Sequence, residues 1–284
     1  MTYDSAKRSA TLALVAALAV FWMPGVAQAA GPRPWEIGLQ PAASPLAHQE
    51  HSFFLLLMVI ITLITLFVLA LLLYCMFRFN AKSNPVPSKT SHNTLVEVLW
   101  TVVPIMILIV IAIPSFKLLY EADKTADADM TIKAIGNQWY WSYEYPDQGN
   151  FTFDAVMLED DELQAGQPRL LATDNAIVLP VDTKIRVLVT GSDVIHSWAM
   201  PAFGVKIDAV PGRLNEVWIQ IEEPGMYYGQ CSELCGIRHG FMPIMIKAVA
   251  KPEFDDWVKR AREEFARVDA PAVSVADASG PTRR

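Results

Sequence analysis

Three apolar stretches give way near residue 120 to short runs in which apolar and polar residues alternate. The first, residues 11–22, follows Lys7 and Arg8 and precedes Ala27-Gln28-Ala29. A charged head, a short apolar body and a small-x-small end predict a secretory signal over residues 1–29, with an external segment 30–51 after it. Residues 52–77 are almost wholly apolar and carry no charge, and residues 96–119 carry only Glu97 before their outer end. At ~1.5 Å of rise per residue, each is long enough to cross a hydrocarbon core of ~30 Å. Pro104 and Pro114 do not exclude the second span, because neighbouring helices satisfy freed backbone groups. The loop 78–95 holds Arg78, Lys82 and Lys89 and no acid, which puts it on the cytoplasmic side. The pattern predicts a transmembrane two-helix hairpin with everything after residue 120 outside.

Beyond the hairpin the period changes to two. Lys184-Ile185-Arg186-Val187-Leu188-Val189 and Glu216-Val217-Trp218-Ile219-Gln220-Ile221 alternate as half-buried strands do. Strands are expected over 130–135, 139–145, 176–180, 184–190, 214–222 and 243–249, separated by turns such as Gly191-Ser192-Asp193 and Pro211-Gly212-Arg213. An external all-β domain over residues 120–250, a sandwich or Greek-key barrel, is the expected fold. Within residues 251–284, Pro252 opens a helix expected to run to about residue 268, with Glu253, Asp255 and Asp256 in its first turn and a disordered tail after it.

Charge narrows the choice of partner. From Tyr120 onward there are 26 acidic and 16 basic residues, a net of −10, against −7 for the whole chain. Such a domain is a poor match for nucleic acid and a good one for a basic protein.

The chemistry lies in one segment. Two of the three cysteines sit in Gln230-Cys231-Ser232-Glu233-Leu234-Cys235-Gly236-Ile237-Arg238-His239-Gly240-Phe241-Met242-Pro243, and His196 stands upstream in Asp193-Val194-Ile195-His196-Ser197-Trp198. Outside the cytoplasm a cysteine pair is by base rate a disulfide. Two Cys and two His also suit tetrahedral zinc, though the short Cys and His pairs of such sites are missing and Met242 has no use there. A single copper needs one Cys, two His and a weak Met, which leaves one thiol surplus. Two bridging thiolates, each copper also bound by one imidazole, would use every residue. The weak positions then fall to Met242 and a loop carbonyl, best placed at Glu233.

These residues, together with Gln138-Trp139-Tyr140-Trp141-Ser142-Tyr143-Glu144-Tyr145, Asp193 through Pro201 and Asp208-Ala209-Val210-Pro211-Gly212-Arg213-Leu214-Asn215, resemble subunit 2 of cytochrome c oxidase, including its copper A loop. The resemblance covers roughly residues 45–250 and has bacterial character. It implies a cupredoxin domain in which Cys231 and Cys235 bridge two copper ions. His196 and His239 would each bind one, with Met242 and the Glu233 carbonyl as weak ligands. By the same resemblance the Glu233 carboxylate binds magnesium at the junction with the catalytic subunit. Trp139 is the point of electron entry, and Glu97 stands at the mouth of a proton path. Glu144, Asp154, Asp174 and Asp193 become docking residues for cytochrome c.

The implied function is subunit 2 of an aa3-type haem-copper oxidase, working with subunits 1 and 3. Electrons from cytochrome c would pass to the haem of subunit 1 for dioxygen reduction coupled to proton pumping. The implied location is the bacterial inner membrane, with the copper domain in the periplasm. The competing class is a membrane-anchored copper carrier or copper-delivery protein with no catalytic partner, in which Glu97 and the Glu233 carboxylate would be idle.

Overall fold

The computed structural model describes residues 31–123 and 127–265. The expected signal at 1–29 and the tail from 270 lie outside the described residues.

Helix α1 runs from Pro45–Arg78 and helix α2 from Thr94–Ala122. Ser44 caps α1 by accepting from Ala47 N, with proline in the first turn, and Asn93 caps α2 by accepting from Leu95 N and Val96 N. At 34 and 29 residues the helices reach roughly 51 and 44 Å, more than a bilayer core requires. Both are long and apolar enough to span, and the span windows are unburied within the chain. The surplus length of α1 lies at its start, where Leu46 and Ala47 are buried against the β domain.

The β domain is a sandwich of two five-stranded sheets. One holds β1 (Met130–Asn137), β2 (Tyr140–Tyr145), β3 (Phe151–Ala155), β5 (Ile185–Gly191) and β8 (Asn215–Ile219), in the order β3-β2-β1-β5-β8. The other holds β4 (Ile177–Pro180), β6 (His196–Met200), β7 (Val205–Ala209), β9 (Gly225–Cys231) and β10 (Pro243–Val249), in the order β4-β10-β9-β6-β7. β1 lies parallel to β5 and β10 parallel to β4, whereas the other pairings are antiparallel. This is the cupredoxin-like architecture expected from the sequence, with four strands beyond the six expected: β3, β6, β7 and β9. β6 is buried at all five positions, so it has no polar face to alternate with. β9 opens on glycine and carries Gly229, where an added Cβ would lie 2.0 Å from the Ala199 carbonyl oxygen. Strand spacing there requires glycine, a residue that reads as a break in sequence.

Two expected ends move. Trp139 is not part of β2 but sits in the turn that joins it to β1, and β8 stops at Ile219 instead of continuing to 222. Helix α3 spans Lys251–Glu264 and ends where Phe265 N donates to Ala261 O. It lays Trp257 across Tyr145, Phe151 and Phe153, with ring centroids 5.2 to 6.4 Å apart.

The core is aromatic. Trp141, Tyr143, Tyr145 and Trp198 have no solvent exposure, and each has a partner for its polar end. Tyr145 Oη donates to Val178 O and accepts from Val178 N; Trp198 Nε1 donates to Tyr143 Oη. Burial pushes both tyrosine hydroxyls well above their usual range.

The hairpin is joined to the sandwich by hydrogen bonds from both backbone and side chains. Ala43 N donates to Ala202 O at 2.8 Å, Glu222 N to Ala43 O at 3.2 Å, and Ser44 Oγ to Phe203 O at 2.8 Å. At the end of α2, Trp218 Nε1 donates to Glu121 O at 2.9 Å.

Candidate metal centre

Four segments meet at one end of the sandwich. β6 delivers His196 from its first residue and β9 delivers Cys231 from its last. The loop to β10 then supplies Cys235, the 3-10 turn His239–Phe241, and Met242. Gly236 has φ +122, a conformation that favours glycine, and lets the loop double back between the two halves of the site.

Cys231 Sγ and Cys235 Sγ lie 3.9 Å apart, both buried, and both thiols are free. A disulfide needs ~2.05 Å, so this arrangement is not one. Each thiol faces one imidazole: Cys231 Sγ is 3.9 Å from His196 Nδ1, and Cys235 Sγ is 3.6 Å from His239 Nδ1. Met242 Sδ lies 3.5 Å from Cys235 Sγ, and the Glu233 carbonyl oxygen lies 3.5 Å from Cys231 Sγ. The ligand atoms of His196, Cys231 and Cys235 all fall within 4.8 Å of one another. Soft donors in two matched halves, one thioether and one carbonyl at the edges, fit a pair of copper ions better than one zinc.

The groups behind the ligands fix them. Asp193 Oδ1 lies 2.9 Å from His196 Nε2, which assigns that nitrogen its proton and turns Nδ1 toward the thiol. The other carboxylate oxygen of Asp193 accepts from Gln138 N at 2.7 Å. Gln138 Nε2 and Trp139 Nε1 both donate to the Cys235 carbonyl, at 2.8 and 3.3 Å, and Trp141 Nε1 donates to the Met242 carbonyl at 3.3 Å. The His196 ring packs so closely on β1 that a Cβ at Gly136 would come within 2.8 Å of it. Sequence spacing could not have found Gln138 and Trp141, which stand 97 and 101 residues from the backbone groups they hold.

Burial raises the Cys231 thiol, but its contacts with His196 and the loop backbone outweigh burial and bring it down to about 6. Cys235 is pushed up to about 12, by burial and then by the charge on Cys231. His196 is lowered by burial and raised more strongly by Cys231 and Asp193. The metal-free loop at neutral pH therefore holds one thiolate, at Cys231, and one thiol, at Cys235. Loading it with a cation must release protons.

Asp193→Asn keeps the size of the side chain and loses the charge behind His196. Copper affinity should fall roughly 10–100-fold, read by competition with a chelator of known strength. Unchanged affinity would show that the Asp193 carboxylate does not act through the His196 ring.

The remaining expected residues distribute as follows. Trp139 is half-buried and rests on the copper-side loop, 3.0 Å from where a Cβ on Gly236 would lie. A polar row runs from the edge of the sheet toward it: Ser142 Oγ donates to Asp154, Asn137 Nδ2 to Ser142, and Ser192 Oγ to Asn137. Asp174 accepts from Val156 N beside Asp154. Glu144 forms an ion pair with Lys133 at 2.9 Å and is only partly exposed, which reduces its free charge. The Glu233 carboxylate is exposed on the loop. Glu97 sits in the first turn of α2, roughly 36 Å along that helix from Glu121.

Two family models match the chain: cytochrome c oxidase subunit II, periplasmic domain, over residues 130–249, and its transmembrane domain over residues 32–118. A probable cytochrome c oxidase subunit 2 of Rickettsia bellii is 55% identical over 230 residues, covering 81% of this chain and 86% of the relative. Cytochrome c oxidase subunit 2 of Cyanidium caldarium is 49% identical over 238 residues, covering 80% and 91%. Among solved structures, the periplasmic domain of subunit II of cytochrome oxidase from Bradyrhizobium japonicum is 59% identical, covers 50% of this chain and 99% of its own, and superposes with a TM-score of 0.47. With both halves matched and the copper-site donors assembled, the chain belongs to the cytochrome c oxidase subunit II family.

Proposed function

We propose that this chain is the electron-entry subunit of an aa3-type oxidase, taking electrons from cytochrome c and delivering them to the haem of subunit 1. The observation that carries the reading is the paired thiols, 3.9 Å apart, each facing its own imidazole. Two copper ions held by Cys231, Cys235, His196 and His239 would supply a one-electron relay with little change in geometry between oxidation states. The protein's part is to hold the donors still. Asp193 orients one imidazole, Gln138 and Trp139 fix the Cys235 carbonyl, and Trp141 fixes that of Met242. Met242 and the Glu233 carbonyl take the weak positions.

Trp139 is the entry point in this reading, because it touches both the surface and the carbonyl of a ligand residue. Asp154, Asp174, Asp193 and the paired Glu144 surround the approach to it. The exposed Glu233 carboxylate would bind magnesium against subunit 1, and Glu97 would open a proton path at the cytoplasmic end of α2. Subunit 3 completes the assembly. The topology that follows has residues 1–29 removed as a signal and 30–51 external. Spans 52–77 and 96–119 lie in the bacterial inner membrane, with loop 78–95 cytoplasmic. The copper domain 120–250 and the segment 251–284 are periplasmic.

Stopped-flow oxidation of reduced cytochrome c by the assembled oxidase tests the docking surface. The second-order rate should fall as salt rises. Asp154→Lys with Asp174→Lys should slow it roughly tenfold at low salt and flatten the salt dependence, with copper content unchanged. Equal rates and slopes in wild type and variant would move the docking surface elsewhere.

A further inference from the structure

Between the external ends of α1 and α2 lies a cavity of about 340 Å³ that has no part in the metal site. Its lining is graded along the helix axis. His48 and Ser52 stand at the outer rim, whereas Phe53, Leu56 and Pro114 form an apolar floor, with Leu56 ~12 Å further inward than His48. Lys117, from the last turns of α2, reaches the same cavity from the other side. Among the described residues no carboxylate pairs with Lys117. The acids around it are otherwise engaged: Glu222 bonds His48 Nε2 at 2.9 Å, Glu121 has an interaction of its own, and Glu50 turns toward Gly204.

An unpaired cation at the level where the helices leave hydrocarbon, above an apolar floor, matches one ligand chemistry: a phosphodiester headgroup with an acyl chain below it. The volume lies in the range of small-molecule sites, ~300–1,000 Å³. A further helix is a poor fit, because close helix contacts in membranes are made by small residues and this lining carries Phe53, Leu56 and Lys117. A water-soluble anion would leave the floor uncovered.

We propose that this cavity binds one glycerophospholipid of the outer leaflet, with its phosphate on Lys117 and an acyl chain running inward over Phe53, Leu56 and Pro114. The lipid would sit directly beneath the point where α1 is bonded to the sandwich, wedged between the two helices that carry the copper domain.

Native mass spectrometry after extensive detergent washing, on both the full-length chain and the assembled oxidase, reads the bound lipid directly. Wild type should keep one phospholipid per chain. Lys117→Ala should lose at least ~tenfold in retention, as expected when a charge-assisted bond is removed. Leu56→Trp, which fills the floor and leaves the cation, should lose it as well, and Lys89→Ala on the opposite side should not. Copper content measured on the same samples shows that each variant is folded. Equal retention in wild type and both cavity variants would overturn the proposal. So would a wild-type chain that binds glycerophosphate without acyl chains, or one that sheds its lipid on assembly because another subunit fills the cavity.

Discussion

Cys231→Ser is expected to hold at most one copper per chain and to lose electron transfer from cytochrome c altogether, and Cys235→Ser is expected to do the same. The two sulfurs lie 3.9 Å apart with an imidazole beyond each, so in the proposed centre each ion would need both of them. A serine hydroxyl is a hard, neutral donor at physiological pH and cannot replace a soft bridging thiolate. The variants should still fold. The change conserves side-chain shape, and the fully buried Trp141, Tyr143, Tyr145 and Trp198 of the core supply no metal donor. The two substitutions should differ in what remains. Cys235→Ser keeps Cys231 beside His196 and can hold a single copper, whereas Cys231→Ser breaks the better-oriented half, the one Asp193 fixes. Metal analysis and cytochrome c oxidation on the assembled oxidase read both effects. A serine variant that kept two coppers and full activity would remove the bridging role.

Trp139→Ala is expected to leave copper content intact and to slow electron entry. Gln138 Nε2 bonds the same Cys235 carbonyl at 2.8 Å, so the loop keeps one of its two anchors when the indole is lost. What disappears is the half-buried ring between the surface and that carbonyl. Truncating an interfacial tryptophan anchor typically costs ~2 kcal/mol, or roughly 30-fold in affinity for the donor. In the proposed reading the electron would also lose the route through the indole and its hydrogen bond to the Cys235 carbonyl. Stopped-flow rates should therefore fall by at least that factor at low donor concentration, with the copper spectrum unchanged. A variant with normal rates would place the entry point elsewhere, and one that lost copper would make Trp139 a structural residue of the loop.

Much of this architecture is legible in the sequence, and the exceptions share a cause. The hairpin is visible because charge-free apolar runs have few other uses. Its true length is not, because the first turns of α1 carry His48, Gln49, Glu50 and His51 and pack Leu46 and Ala47 against the β domain, so the apolar run starts a good turn after the helix does. The longer strands with one wet face announce themselves by alternation, whereas β3 and β7 alternate over only five residues each, too few to stand out. β6, buried on both faces, and β9, which requires Gly229 for close approach to Ala199, give no such signal. At the metal centre the donors themselves are legible, since Cys231, Cys235, His239 and Met242 share one loop. The groups that hold them come from the turn after β1 and from β2, so no local spacing encodes them. The family resemblance makes Asp193 a docking acid, and the fold gives it inner partners as well, His196 Nε2 and Gln138 N. The lipid cavity needs both helices in place before Lys117 and Phe53 become neighbours.

The measurement that bears most directly on the copper centre is quantitative metal analysis with EPR on the copper-loaded full-length chain. One unpaired electron shared equally by two bridged nuclei should give seven hyperfine lines, with two coppers per chain. Four lines with one copper per chain would contradict the account, as would a metal-free chain in which Cys231 and Cys235 are oxidised to each other.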